Sequence, residues 1–339
     1  MATSSDFVFP DPGVPKIPIE RLDDINSDKA ARYVAEHRPF VVRVDWPALQ
    51  WGPDYLRATA GTVPIRTWKK TGEEVEMPLS EFLTLVEDPV THKRDYVVHN
   101  YPVIKLWDWW GKKREYEQLL RDVPLPGFIN PDRISGMNVW VRNTGWFDNK
   151  SHCESNAAAA INLQVRGKKH VWLFPPEDAH LLGVEVPRES LMEPAYFANV
   201  QTVFRPSPEH PEFANVRCYE TVLEPGDAIH IPTFWYHWFV HYNVFQMNLN
   251  CWFSTDTIQM SPVAGDWAYM NALSIALGDL GNLRERFAQL PVETQDLLTK
   301  ISHLLVGDPR CTDSMMYRRL FAAREKQVLD PSMFTKKKT

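Results

Sequence analysis

Between residues 134 and 255 the chain breaks into seven short β-rich runs, at 138–141, 160–165, 170–174, 219–223, 228–231, 238–240 and 246–253, separated by Gly, Pro and Asn. Short strands with turn signals between them point away from a helical bundle and toward an all-β sandwich or barrel. The turn at Pro225-Gly226-Asp227 has a local mechanism, since Pro presets φ and Gly accepts a positive φ. A core of this kind needs apolar residues to bury, and 44% of the 339 residues are hydrophobic. That fraction excludes global disorder.

The flanks differ in texture. Residues 1–18 carry Pro10, Pro12, Pro15 and Pro18 and read as an extended arm. Residues 19–133 read as an α/β segment packed on the core. Within it, 26–38 has a helical pattern with Ser27 as N-cap and Pro39 as stop, and 40–44 follows as a strand. Residues 63–68 read as a strand and 79–86 as a helix with Pro78 near its first position. The span 134–255 is the barrel that carries the site. After 256 the pattern turns helical, with Met270, Leu273, Leu277 and Leu280, then Leu297, Ile301, Leu304 and Leu305 at helical spacing. The closing Lys336-Lys337-Lys338 reads as a frayed end.

Charge and cysteines narrow the class of partner and the compartment. A net charge of −6 argues against a dedicated nucleic-acid binder. No run approaches the ~18 apolar residues of a membrane-spanning helix. The N-terminus lacks the basic and apolar regions of a secretory signal. Cys153, Cys218, Cys251 and Cys311 form no CxxC pair, which suggests a reducing, cytoplasmic setting (or a nuclear one in a eukaryote) without a disulfide framework or thiolate zinc.

One constellation points to chemistry. His152-Cys153-Glu154 is followed much later by His237 in Pro232-Thr233-Phe234-Trp235-Tyr236-His237. Two imidazoles and a carboxylate are the facial ligand set of iron(II), leaving three positions for a chelating co-substrate and oxygen. An i, i+2 spacing on an extended segment puts His152 and Glu154 on one side, with Cys153 opposite. Downstream, a strand, the turn at Gly167 and a second strand ending in Pro175-Pro176 place Lys169 at the turn. A cation beside a metal pocket calls for an anionic partner such as a dicarboxylate.

At these residues the chain resembles the Jumonji-C or cupin-like iron(II)/2-oxoglutarate dioxygenases. Every element of their ordered pattern is present: His152/Glu154, Gly167/Lys169, Pro175-Pro176, Pro225-Gly226-Asp227, Trp235/His237 and Asn250-Cys251-Trp252. The resemblance implies a mainly β fold, a double-stranded β-helix of the jelly-roll type, with an N-terminal α/β extension and C-terminal helices. It implies Fe(II) held by His152, Glu154 and His237, with no catalytic side chain beyond the metal site. Lys169 would pair with the distal carboxylate of 2-oxoglutarate, Asn162 would hydrogen-bond the co-substrate, and Asn248 or Asn250 would sit near it on one face of the last strand. The third reactant is O2.

Two alignments are open within that family. The asparaginyl hydroxylase spacing, 13 residues from first ligand to turn Gly, falls on Glu154 and Asn156 and describes a degraded site. His152 stands 15 residues before Gly167, the spacing of the Jumonji-C lysyl hydroxylase and several histone demethylases. With that spacing His152, Glu154, Asn162 and Lys169 all fall on functional positions without a gap, and the intact triad is the reading adopted.

Neighbouring residues have blander readings. His230 and His241 read as structural histidines, and Cys153 as a small buried hydrophobe. Trp140 and Arg142 share a strand face and either line the pocket or serve as packing and a surface charge. Trp107-Asp108-Trp109-Trp110 reads as packing of the N-terminal segment. The expected activity is hydroxylation of an unactivated C–H bond on an amino-acid side chain of a protein or peptide, with succinate and CO2 as co-products. A hydroxylase of a free amino acid or small metabolite, and a catalytically silent cupin that binds a partner, are the alternatives. The helical segment 264–330 would either form a homodimer or pack on its own barrel.

Overall fold

The computed structural model describes residues 11–69, 71, 73–88, 90, 104–108, 116–142, 147–148, 151, 158–182, 211–241, 245–256 and 292. In chain order the strands are β1 (Lys16–Pro18), β2 (Arg21–Leu22), β3 (Phe40–Arg43), β4 (Pro64–Trp68), β5 (Glu74–Pro78), β6 (Ile104–Asp108), β7 (Ile134–Arg142), β8 (Phe147–Asp148), β9 (Ala159–Arg166), β10 (Lys169–Phe174), β11 (Cys218–Leu223), β12 (Asp227–Ile231), β13 (Tyr236–His241) and β14 (Gln246–Phe253). The helices are α1 (Asp28–Ala35), α2 (Pro53–Ala60), α3 (Leu79–Glu87) and α4 (Glu117–Arg121). Among the described residues no helix is long and apolar enough to cross a membrane.

A seven-stranded sheet in the order β2-β3-β12-β9-β14-β7-β6 faces a five-stranded sheet in the order β1-β11-β10-β13-β8. From β9 onward the chain passes back and forth between the two, with β9, β12 and β14 in the larger sheet and β10, β11 and β13 in the smaller. This is the all-β core expected from the strand pattern and the jelly-roll that the resemblance implied, built as two facing sheets rather than a closed barrel. A shared apolar cluster joins them, with Ala160, Ile229 and Ile231 from one side meeting Val171, Leu173 and Phe239 from the other.

All seven runs read from the sequence are strands, with edges shifted by a few residues. The larger sheet's outer face is the main core. Leu163, Val165 and Leu249 pack there with Trp51, Leu56 and Leu83 of the N-terminal segment, all essentially inaccessible to solvent. Two turns depend on glycine. Gly167, between β9 and β10, has φ +76°, and a Cβ there would lie 2.4–2.6 Å from the Gln246 side chain. Gly226 has φ +95° in the turn between β11 and β12, where Arg43 Nη2 donates to the Pro225 carbonyl at 2.9 Å.

Several local expectations change. The last residues of the Pro-rich arm are β1, which pairs parallel with β11. Ser27 caps α1, its Oγ accepting from Ala30 N at 3.2 Å, but the helix stops at Ala35 rather than 38. His37 takes φ +53° while His37 N donates to Val34 O and Arg38 N to Tyr33 O, a Schellman end that closes the helix before Pro39 can. Pro78 is the N-cap of α3 rather than its first residue. Trp107 and Asp108 lie on β6, paired with Met137 and Gly136 of β7, while Trp109 and Trp110 lie outside the described residues. The helices expected after 256, and the dimer reading attached to them, also fall outside, Val292 excepted.

Candidate functional site

The period of two along β9 and β14 gives the larger sheet a polar inner face. Asn162 stands opposite Asn250, and Gln164 opposite Asn248. On the other flank of β14, Trp140 of β7 stands opposite Asn248 and Arg142 opposite Gln246. The smaller sheet presents Lys169 of β10, with His241 of β13 directly across from it and His237 four pairs further along, opposite Leu173. Lys169, Asn162, Gln164, Asn248, His237, His241, Gln246 and Arg142 are all buried. A row of polar groups held inside a sandwich is costly unless bonded internally or matched by a ligand.

Hydrogen bonds link the two sheets. Lys169 Nζ donates to Asn162 Oδ1 at 2.5 Å. Asn162 Nδ2 in turn donates to Asn250 Oδ1, which also accepts from Asn248 Nδ2 at 2.9 Å. A second set fixes the end of the interior near the Gly167 turn. Gln164 Nε2 donates to Gln246 Oε1 at 2.8 Å, and Gln246 Nε2 to Lys168 O at 3.0 Å.

The electrostatics are dominated by cations. Lys169 is fully buried, its ammonium lies 4.5 Å from the Phe239 ring centroid, and no carboxylate among the described residues pairs with it. Burial, and then the charge of Arg142, hold its pKa well below the usual lysine range. Burial pushes Arg142 down to about 10. The pKa of His241 is lowered by burial first and then by Arg142 and Lys169, against a hydrogen bond with Gln246. A dicarboxylate fits this environment, because it would supply a negative charge that no described residue brings to Lys169.

His237 is 3% exposed, and its Nδ1 lies 3.2 Å from the carbonyl of Trp235. A carbonyl can only accept, so Nδ1 carries the proton and Nε2 the lone pair, the tautomer a metal needs. His152 and Glu154 lie outside the described residues, as does Cys153. Among the described residues no three His, Cys, Asp or Glu side chains converge. Ser151, the last described residue before His152, is 2% exposed.

Other motif residues have structural roles. Asp227, 1% exposed, receives both Arg21 Nη1 and Nη2 at 3.1 Å and the Glu224 amide at 2.9 Å, so its carboxylate anchors the turn. His230 lies on the opposite sheet face, with Nδ1 bonded to Arg38 O at 3.0 Å and its ring 5.1 Å from Phe40. That supports the structural reading for His230. His241 and Arg142 are different: both are buried with the interior polar row, so Arg142 is no surface charge. The period of two already placed Gln164 beside Asn162, and Gln246 beside Asn248, but amide side chains alone did not single them out.

Comparison with known proteins follows the same outline. A cupin-like domain model matches residues 27–258. HSPB1-associated protein 1 of Homo sapiens is 25% identical over 241 residues, covering 65% of this chain and 48% of its own length. tRNA wybutosine-synthesizing protein 5 of Mus musculus is 24% identical over 334 residues, 86% of this chain and 96% of its own. Lysine-specific demethylase 8 of Danio rerio is 28% identical over 243 residues, 67% and 54% respectively. The chain spans about half the length of the HSPB1-associated relatives it matches. With the family model spanning both facing sheets and most of the N-terminal segment, the chain belongs to the Jumonji-C-like, cupin-like family.

Proposed function

We propose that this chain is an iron(II)- and 2-oxoglutarate-dependent oxygenase that hydroxylates an unactivated C–H bond of an amino-acid side chain in a protein or peptide. The observation that carries the reading is the buried ammonium of Lys169, which has no carboxylate partner among the described residues and is hydrogen-bonded across the sheets to Asn162 in the same interior as His237. His152, Glu154 and His237 would hold the metal. When bound, iron and 2-oxoglutarate supply the oxidising power, with O2 consumed and succinate and CO2 released.

The chain's own residues bind and shield. Lys169 neutralises the distal carboxylate of the co-substrate, and Asn162 aims the ammonium through its amide oxygen. Asn250 locks Asn162 by accepting from it, and Asn248 closes the row. The proton on His237 Nδ1 stays with the Trp235 carbonyl, so the ring is oriented before any metal arrives. Ile229, Ile231 and Trp235 keep water from the adjoining interior. A protein substrate is in keeping with relatives named for association with HSPB1 and for lysine demethylation, and a cytoplasmic setting with the free, buried Cys218 and Cys251. A free amino acid or small metabolite is the second substrate class.

A catalytically silent cupin is the competing reading from another class, favoured by one observation: Glu154 and Asn156 fall on the ligand positions when the 13-residue spacing is used. Anaerobic iron(II) titration with and without 2-oxoglutarate, on wild type and His152→Ala, separates the two. One tight iron with a visible charge-transfer band that the variant loses supports the oxygenase. No iron and no band in the wild type sinks it in favour of the silent cupin.

A further inference from the structure

The co-substrate reading uses Lys169, Asn162, Asn248 and Asn250 and leaves two buried amides of the same interior without a role. Gln164 and Gln246 meet where β9 turns into β10, directly before Lys169. Gln164 Nε2 donates to Arg166 O at 2.6 Å and to Gln246 Oε1 at 2.8 Å, and Gln246 Nε2 donates to Lys168 O at 3.0 Å. The two carbonyls that flank Gly167 are therefore each held by a buried side-chain amide. Only a residue without Cβ leaves room for this, since a Cβ at Gly167 would fall on the Gln246 amide. Gln246 also bonds the side chain of His241, which stands across from Lys169 on β13. One side chain thus holds both the peptide carbonyl before Lys169 and the residue opposite it.

Stability alone does not account for the arrangement. Both N–H groups of Gln164 are committed to the turn and to Gln246, while its Oε1 is buried with no hydrogen-bond partner among the described residues. An unmatched buried acceptor lowers stability. Lys169 is also already paired with Leu223 on one side and His241 on the other, so the strand does not need the amides to form. We infer that Gln246, with Gln164 behind it, is a positioning residue for Lys169, fixing the Gly167 turn so that the ammonium stands at a set place in the interior. This role rests on the co-substrate reading above and deepens it. Asn162 fixes the tip of the lysine side chain, and the glutamine pair fixes the backbone from which that side chain starts. A charged group held at both ends needs no rearrangement to meet an anion.

The test is equilibrium binding to the manganese-loaded full chain, using 2-oxoglutarate and 2-oxopentanoate, which keeps the chain length and lacks the distal carboxylate. Gln246→Met fills the same space without the hydrogen bonds of the amide. It is expected to weaken 2-oxoglutarate about 3–10-fold, the range for a lost neutral hydrogen bond, with 2-oxopentanoate unchanged. Should that variant not fold, Gln246→Asn keeps the amide but is one methylene too short to reach Gln164 and Lys168 O together, and the same selective loss is expected. In a Lys169→Met background, Gln246→Met should change neither affinity, because it acts through the ammonium. An equal loss for both acids, no loss for either, or a further loss without the ammonium overturns the role and leaves the co-substrate reading in place. A wild type that binds 2-oxoglutarate no more tightly than 2-oxopentanoate overturns both.

Discussion

The two faces of the larger sheet are built from the same strands and serve opposite purposes. On β9, Ile161, Leu163 and Val165 point outward into the main core, while Asn162 and Gln164 point inward. On β14, Met247, Leu249, Cys251 and Phe253 join that core, while Gln246, Asn248 and Asn250 form the polar row. One residue of displacement along either strand would exchange the two sets. The outer face gains stability by removing apolar area from water. The inner face gives stability up by burying amides and cations. A substitution on one face should therefore be read out in folding free energy, and on the other in binding.

The outer face should give the largest effect. Leu163→Ala removes a fully buried side chain and is expected to cost about 2–5 kcal/mol in urea unfolding, with 2-oxoglutarate affinity of the folded fraction unchanged. Asn162→Ala, one residue away, should do the reverse: a smaller loss of stability and a clear loss of 2-oxoglutarate binding. If both variants shift binding alike, the two faces are not separable.

Next is the histidine that the outer face buries. His230 is fully buried, and burial pushes its pKa down to about 4 against the contact with Arg38 O. Its Nε2 has no hydrogen-bond partner among the described residues. The folded state thus holds the ring neutral, while the unfolded chain takes up a proton below about 6.5. Its contribution is fully present above that pH and lost as pH falls toward about 4, roughly 3 kcal/mol in all. His230→Leu should flatten the stability profile between those limits, as followed by urea midpoints. A slope unchanged by the substitution would assign the acid sensitivity elsewhere.

The inner face gives the prediction of opposite sign. Lys169→Met keeps the volume and removes a buried charge with no carboxylate partner among the described residues. The ligand-free protein is expected to gain about 1–3 kcal/mol and to lose its preference for 2-oxoglutarate over 2-oxopentanoate. A destabilised variant would show that the ammonium supports the fold rather than a ligand.

How much of this was legible without coordinates follows from which forces act locally. The seven core runs are readable because alternation and turn residues are properties of adjacent positions. Asn248 and Asn250 could be put on one face for the same reason. β1 and β2 were not, since three and two residues become strands only by pairing with β11 and β3. β5 was hidden by the exposed Glu74 and Glu76, which pair across the hairpin with Trp68 and Arg66. Arg142 passed equally well for a surface charge because its burial is imposed by a sheet that arrives a hundred residues later in the chain. His241 looked structural for the same reason, as only its register with Lys169 brings it to the site. His152 and Glu154 remain an inference from spacing.

The smallest expected effect tests whether the outer face extends to its periphery. α1 contributes Ala30, Tyr33 and Val34 to the core beneath the larger sheet, and its first turn depends on Ser27 Oγ accepting from Ala30 N. Ser27→Ala leaves that amide without its side-chain acceptor and should cost about 1 kcal/mol. Ser27→Asp restores an acceptor and adds a negative charge at the positive end of the helix, so it should recover most of the loss. Neither change touches the interior row, so 2-oxoglutarate affinity should stay within about twofold of wild type, within the ~0.5 kcal/mol to which distant sites add independently. A cap variant that also weakened binding would mean that the helix, the outer core and the polar row respond as one body, and that the division between the faces is one of composition only.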